Sequence, residues 1–230
     1  MKQQYIYLSL LLLVLLIAGY FVSKTNIVLK QPKVLQAEIS RINKQPNPLS
    51  AEIYKSDISP WGNPQAPIKI VEYGDYLCIY CAYAARDFYP KIENLINEGK
   101  VVFYFKDLIS HRESVSIANA ARCANEQNKF WEFNKAIFQL VLDLSEGKAV
   151  DDPSKKETWL SLGKILDLEL AQFEKCIDEG RYMTNVQKDV QEAIKLGFSG
   201  TPSFIINGEK ISGLDLNKLN ETLNKFLSQK

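Results

Sequence analysis

Apolar residues along the chain form two kinds of pattern, short continuous runs and longer stretches with helical spacing. Ile68 to Glu72 and Val101 to Phe105 are short runs of the kind that fill buried strands. The residues between them, Ala82 to Asn97, have a helical pattern. A strand, a helix and a second strand at this spacing form a right-handed parallel unit, so we expect both strands in one sheet.

From Glu113 to about Leu196 the apolar spacing is helical throughout. A block of helices inside an α/β frame indicates an inserted helical domain. The predicted helices of this block are Ser114 to Gln127, Phe130 to Leu144, Lys155 to Leu166, Glu169 to Asp178 and Tyr182 to Leu196.

Two short runs near the end of the chain predict a β-hairpin. Ser203 to Ile206 and Glu209 to Ser212 flank Asn207-Gly208, a pair that is typical of a type I′ turn. Asp215 to Leu227 then has its leucines and a phenylalanine on one helical face. The chain is therefore expected to end with a hairpin and an amphipathic helix.

The first segment, Tyr5 to Val22, has 18 residues without a charge, which suits a membrane-spanning helix or a signal peptide. Cleavage after Gly19 is conceivable, but Ile17 makes a poor small-x-small site. We therefore favour a retained, single-pass signal anchor over a cleaved signal peptide. The following residues, to about position 60, contain several prolines and are interpreted as a stalk.

Together these patterns divide the chain into four regions. They are an anchor (residues 1–23), a stalk (24–60), an α/β domain (61–112 and 197–230) and an inserted helical domain (113–196). A chain of 230 residues that is 46% hydrophobic can bury one sizeable core with an inserted subdomain. Its net charge of +1 gives no electrostatic basis for binding nucleic acid.

The main candidate for chemistry is the pair Cys78 and Cys81, two thiols that can form a reversible two-electron couple. Because the pair lies between a strand and a helical run, Cys78 is expected at a helix N-terminus. Unpaired N–H groups and the helix dipole stabilise a thiolate there, which lowers the thiol pKa. Cys78 is thus the expected nucleophile, and Cys81, one turn into the helix and more buried, the resolving thiol.

Other interpretations of this pair are weaker. A structural zinc site needs further close ligands, but Cys123 and Cys176 lie far apart and His111 is remote in sequence. Attachment of haem needs a histidine directly after the second cysteine, where this chain has alanine. An inert disulfide within one helical turn gains little stability and is easily reduced. We predict no metal and no cofactor.

The two remaining cysteines, Cys123 and Cys176, fall on apolar faces of the predicted insertion. Paired, they would close a loop of about 50 residues and stabilise the fold by about 4 kcal/mol. We expect a structural disulfide, with two buried free thiols as the alternative. For His111, the sole histidine, a structural or surface role is expected rather than catalysis. Lys106 and Asp107 are expected to be a solvated pair.

Three stretches carry a resemblance to a known family. Gly62 to Cys81, Ala120 to Glu132 and Gly197 to Gly208 resemble the entry strand and active site, the first inserted helices and the cis-proline loop of the DsbA-like thiol:disulfide oxidoreductases, especially the BdbD-type branch. The resemblance covers about residues 58 to 228. It implies a thioredoxin fold with an inserted all-helical subdomain, here preceded by the membrane anchor.

The resemblance also implies roles for single residues. Thr201 and Pro202 resemble the loop whose cis bond faces the redox pair and binds substrate backbone. Glu72 resembles the buried acid beneath the disulfide, where burial would raise its pKa enough to relay the proton of the second cysteine. Tyr80, between the cysteines, is expected to shield the pair, to offer its hydroxyl to the sulfur or to pack on substrate. The family usually has proline where this chain has Ile79, a position that tunes the redox potential.

The resulting hypothesis is a protein-disulfide oxidoreductase that introduces disulfides into exported, unfolded proteins with free cysteines. Its resemblance implies reoxidation by a quinone-linked membrane protein, and we expect a monomer. Because four cysteines suit an oxidising compartment, we place the globular part outside the cytoplasm at the cell membrane, or secreted if the signal is cleaved. The alternatives are a reductase or isomerase of the same fold, or a non-catalytic thioredoxin-like holdase.

Overall fold

The structure is a computed structural model that describes Tyr20, residues 52–148 and residues 150–229. Apart from Tyr20, the predicted anchor, Tyr5 to Val22, lies outside these residues, as does most of the predicted stalk. Within the described ranges, no helix combines the length and the apolar character needed to cross a bilayer.

A four-stranded sheet with the order β2-β1-β3-β4 forms the centre of the fold. Strand β1 (Ile68–Gly74) pairs in parallel with β2 (Val101–Asp107) and antiparallel with β3 (Ser203–Ile206), which pairs antiparallel with β4 (Glu209–Ser212). At the β3–β4 turn, both central residues have positive φ, 46° and 91°, as a type I′ turn requires. The strand pairing expected from the sequence is therefore confirmed.

Helices cover the sheet and form the insertion. Two helices, α1 (Ile79–Asp87) and α2 (Tyr89–Asn97), connect β1 to β2. Helix α8 (Leu216–Leu227) follows β4. Between β2 and β3 lie α3 (Ser114–Asn125), α4 (Phe130–Ser145), α5 (Lys156–Ile165), α6 (Leu170–Asp178) and α7 (Met183–Lys195).

Strand β1 is buried on both faces, and its pleat decides which side chains meet which helices. Ile68 and Ile70 pack in one cluster with residues of α1, α2 and α8. Val71 and Tyr73 point to the other face, in a cluster that includes residues of α7. Since side chains alternate along a strand, Glu72 faces the same side as Ile70, toward the helix that follows Cys78.

The insertion packs directly against the helix that follows Cys78, because α4 contacts α1. One hydrophobic cluster contains both Cys81 and side chains of the inserted helices. Tyr76 sits at this junction, with its ring 5.5 Å from that of Phe138 and 5.4 Å from that of Phe105. The second thiol of the pair therefore lies in an apolar environment shared by the sheet and the insertion.

Two expected boundaries are wrong. The predicted helix Ala82 to Asn97 is two helices, because the helical run is interrupted at Phe88. Pro90 lies in the first turn of α2, where its missing N–H is tolerated. The globular part also begins earlier than residue 61. Ile53 and Ile58 are 4% and 2% exposed and pack into the core, so the end of the stalk expected at residue 60 lies too late.

Charges expected in solvent lie instead in the protein interior. Asp107 and Lys106 are 0% and 1% exposed, so the expected solvated pair is wrong. Asp107 forms an ion pair with the buried Arg122 of α3, which also binds Asp189 of α7 at 2.5 Å and Asp57 at 3.1 Å. This Arg122 cluster joins the sheet, two inserted helices and the segment before β1.

Candidate active site

Cys78 caps the N-terminus of α1, as the sequence predicts, and the helix begins at Ile79. The carbonyl oxygen of Cys78 accepts hydrogen bonds from the N–H groups of Cys81 at 3.0 Å and Ala82 at 3.1 Å. Cys78 keeps 8% of its surface, whereas Cys81 is 0% exposed, and both are free thiols. Only the first cysteine can meet a partner from outside.

The surroundings of Cys78 favour its thiolate. Its pKa is lowered from 9.0 to about 5, chiefly because the Cys81 thiol donates a hydrogen bond to it. Burial opposes this effect, while the Thr201 side chain and the N–H groups of Tyr80 and Cys81 support it. A thiolate at this position is the form that attacks disulfides and leaves readily from them.

The surroundings of Cys81 instead favour its protonated thiol. Burial raises its pKa well above the usual value, and the hydrogen bond to Cys78 and the charge of Glu72 raise it further. The N–H of Asp75 donates to its sulfur at 3.4 Å and acts the other way. Two thiols one helical turn apart thus have very different pKa values, and this difference is what a nucleophilic thiol and a resolving thiol need.

Glu72 lies 0% exposed at the centre of the sheet, level with Phe105 on β2 and Phe204 on β3. Among the described residues, neither carboxyl oxygen has a hydrogen-bond partner at ordinary geometry, although the Tyr89 hydroxyl lies near. Burial raises its pKa to about 8; the Tyr89 hydroxyl partly offsets this and the charge of Cys78 adds to it. The carboxyl is therefore protonated at neutral pH and close enough to Cys81 to affect its charge.

The loop before β3 lies opposite the thiols. The Thr201–Pro202 peptide bond is cis, and the Thr201 carbonyl oxygen lies 3.5 Å from the sulfur of Cys78. The N–H of Gly213 donates to the Pro202 carbonyl at 2.9 Å, which ties the loop to the end of β4. The structure thus brings Cys78 together with Thr201 and Pro202, which lie more than 120 residues further along the chain.

Tyr80 projects from the first turn of α1 and is 58% exposed. Its ring packs edge-on against that of Tyr83, with 6.2 Å between centroids. An exposed aromatic ring two residues from the accessible sulfur can contact an incoming polypeptide.

A network centred on Asp75 was not anticipated from the sequence. Its carboxylate is 0% exposed and accepts from the N–H groups of Leu77, Ser110 and His111 at 2.8, 2.6 and 2.9 Å. It also accepts from the Ser114 hydroxyl at 2.7 Å, and the His111 ring lies 3.0 Å away. The signal in the sequence was only an acidic residue three positions before Cys78.

The two cysteines of the insertion form a disulfide that joins α3 to α6. Cys123 and Cys176 are both 0% exposed, and their sulfurs are 2.01 Å apart. This bond lies in the same hydrophobic cluster as the active-site helix. It is chemically separate from the free pair, because neither of its sulfurs reaches the surface.

A free dithiol at a helix N-terminus, a buried acid beneath it and a cis-proline loop facing it define a thioredoxin-fold dithiol protein. A family model described as Thioredoxin matches residues 55–227. The chain is 25% identical over 181 residues to disulfide bond formation protein D of Bacillus subtilis. This alignment covers 74% of this chain and 77% of that protein. The chain is 29% identical over 174 residues to a probable disulfide bond formation protein D of Bacillus anthracis, with coverage of 73% and 77%.

Solved structures agree on the fold. Oxidised BdbD of Bacillus subtilis superposes with a TM-score of 0.64 at 24% identity, over 74% of this chain and 93% of that one. The alpha-DsbA1 protein of Wolbachia pipientis gives a TM-score of 0.61 at 24% identity, over 73% and 89%. The chain belongs to the thioredoxin family, as a DsbA-like thiol:disulfide oxidoreductase with a helical insertion.

Proposed function

We propose that this protein is an extracytoplasmic, membrane-anchored oxidase that introduces disulfides into exported proteins through Cys78 and Cys81. The observation that carries this direction is the stabilised thiolate of Cys78, whose pKa is lowered to about 5. A stabilised thiolate favours the reduced pair, so that the disulfide form readily accepts electrons from a substrate.

The cycle starts from the Cys78–Cys81 disulfide. A substrate thiolate attacks the sulfur of Cys78; a mixed disulfide forms and Cys81 leaves as a thiolate. A second substrate thiolate then attacks the substrate sulfur of the mixed disulfide, and Cys78 leaves. The substrate has lost two electrons, the dithiol holds them, and the low pKa of Cys78 makes it the better leaving group in this second step.

Glu72 is proposed to protonate Cys81 as that thiol leaves. Its pKa of about 8 means that it holds a proton at neutral pH, and it faces the apolar space in which Cys81 would otherwise carry an uncompensated charge. We propose that it takes the proton back when the pair is reoxidised.

Thr201, Pro202 and Tyr80 are proposed as the substrate-binding residues. The Thr201 carbonyl lies beside the accessible sulfur, at 3.5 Å, where an extended substrate segment could pair with the loop backbone. Tyr80, 58% exposed, offers an apolar surface to the residues next to the substrate cysteine. Such contacts suit unfolded chains, whose apolar residues are accessible.

The location and the reoxidant complete the proposal. The uncharged segment from Tyr5 to Val22 supports a single-pass anchor with the globular part outside the cytoplasm. Because each cycle leaves two electrons on the dithiol, an acceptor is needed, and a quinone-linked membrane protein would supply it at the same membrane. Carbonate extraction of membranes and labelling with an impermeant maleimide would test this placement, since a soluble or cytoplasmic protein would contradict it.

The direction of electron flow is tested by equilibrating the full-length protein with glutathione buffers and trapping free thiols by alkylation. We expect a potential more oxidising than about −200 mV. A potential well below that value would identify a reductase instead. Repeating the measurement with Ile79→Pro shows how far the residue after Cys78 tunes the potential.

A further inference from the structure

His111 is held at the active site by Asp75, although the two residues are 36 positions apart. Ring nitrogen Nδ1 lies 3.0 Å from Asp75 Oδ1, and the backbone N–H of His111 donates to Asp75 Oδ2 at 2.9 Å. Asp75 is 0% exposed, whereas the His111 side chain is 48% exposed. The buried carboxylate of Asp75 therefore holds the half-exposed imidazole of His111 in place.

The contact with Asp75 also fixes the tautomer of the ring. A carboxylate oxygen can only accept, so Nδ1 must carry the hydrogen of this bond. In the neutral ring, Nε2 then has a free lone pair and can accept a proton. A buried carboxylate that orients a histidine in this way is a recurring arrangement for a general base.

The position of the pair relative to the thiols supports a role in the reaction. The Asp75 carbonyl accepts from the Cys78 N–H at 3.2 Å, and the Asp75 N–H donates to the Cys81 sulfur at 3.4 Å. On the other side, the hydroxyl of Ser110 lies 3.3 Å from that of Thr201, whose carbonyl faces Cys78. The loop of Ser110 and His111 therefore lies next to the Thr201 loop that faces the accessible sulfur.

Structural need alone does not account for the imidazole. The Asp75 carboxylate already accepts from three backbone N–H groups and the hydroxyl of Ser114. Both of its oxygens are satisfied by these four donors, so an apolar side chain at position 111 would leave no unpaired acceptor. Among the described contacts of the His111 ring, Asp75 is the only charged partner.

We propose that His111 is the general base that deprotonates the substrate thiol as it attacks Cys78, with Asp75 as its positioning residue. Nε2 of His111 takes the proton of the substrate thiol, and the substrate sulfur forms a bond to Cys78. The Cys78–Cys81 bond breaks, and Cys81 leaves with the electron pair and is protonated by Glu72. This step rests on the proposed oxidase function.

The benefit of such a base depends on pH. A substrate thiol with a pKa of about 8.5 is only about 1% thiolate at pH 6.5, so a base can increase the attacking form. Above pH 9 most of the substrate is already thiolate, so a general base no longer increases the rate. A general base changes the rate of exchange and leaves the equilibrium between the protein and a thiol buffer unchanged.

The test uses oxidised full-length protein and a synthetic peptide with two cysteines, with the rate of peptide oxidation measured from pH 6 to pH 9.5. His111→Asn keeps a donor for Asp75 but has no basic nitrogen, and His111→Gln is the second variant. We expect both to be slower by about tenfold or more at pH 6.5 and equal to the unaltered protein above pH 9. Arg112→Gln, an exposed neighbour, is the matched control and should follow the unaltered protein.

A second readout separates a base from a structural role. The equilibrium constant with glutathione should change less than twofold in His111→Asn, and imidazole should partly restore the low-pH rate of His111→Ala. A loss that is equal at all pH values, or one that follows a shift of the equilibrium constant, would overturn the proposal. If the unaltered protein itself fails to oxidise the peptide, the proposed function is wrong. If the unaltered protein oxidises the peptide and the His111 variants do so at the same rate at every pH, only this inference is wrong.

Discussion

Replacing Glu72 by glutamine is expected to stabilise the protein at neutral pH, although Glu72 is proposed to assist the reaction. Burial raises the pKa of Glu72 from 4.5 to about 8. As the pH rises above 4.5 the unfolded chain ionises this carboxyl while the folded protein keeps it protonated, so stability falls. The loss of stability builds up between the two pKa values, because a carboxyl whose pKa is raised in the folded state favours folding only at low pH.

The size of the effect follows from the two pKa values. At pH 7 the difference costs about 3 kcal/mol, and at pH 4.5 it is below about 0.5 kcal/mol. Glutamine does not titrate and resembles the protonated acid in shape, so Glu72→Gln should recover this amount. The gain should therefore grow from almost nothing at pH 4.5 to about 3 kcal/mol at pH 7.

Urea unfolding of the reduced protein and of Glu72→Gln, measured at several pH values from 4.5 to 8, provides the assay. Reduced samples keep Cys78 in the same state in both proteins, so the difference reports on position 72. Curves that remain parallel across this range would refute the reasoning, because they would mean that Glu72 ionises normally in the folded protein.

Two further predictions concern stability. Cys123→Ala together with Cys176→Ala should lower the free energy of unfolding by about 4 kcal/mol, since the bond closes a loop with a separation of 53 residues; a loss below about 1 kcal/mol in urea unfolding would contradict this. Arg122→Met should cost about 3 to 5 kcal/mol at pH 7 by leaving buried carboxylates unpaired. Because burial raises the pKa of both Asp107 and Asp189, the loss should shrink as the pH falls and these carboxyls take up protons. Arg86→Met, which removes an exposed ion pair, is its control and should show no measurable loss.

Much of the fold follows from local pattern in the sequence. The hairpin strands Ser203–Ile206 and Glu209–Ser212 lie where alternation and the Asn-Gly pair place them, because a type I′ turn depends on neighbouring residues alone. The start of α1 directly after Cys78 was likewise expected. The break at Phe88 was missed because apolar spacing continues through it and the effect of Pro90 depends on where a turn begins.

The parts of the site that depend on distant contacts could not be obtained in this way. Asp75 lies 36 positions from His111, and only the fold brings them together. Arg122 lies within an alanine-rich helical stretch, and no local pattern shows that Asp107 and Asp189 surround it. Buried charges of this kind are decided by tertiary packing, which single-residue propensities do not contain.

The most direct test of the oxidase proposal is a titration of the Cys78 thiolate. Thiolate absorbance near 240 nm would be recorded from pH 3 to pH 10 for the reduced full-length protein, with Cys78→Ser as the reference to subtract. We expect a transition with a midpoint near the lowered pKa of about 5. A midpoint close to that of an ordinary cysteine, about 8.5, would contradict a stabilised thiolate and with it the proposed direction of electron flow.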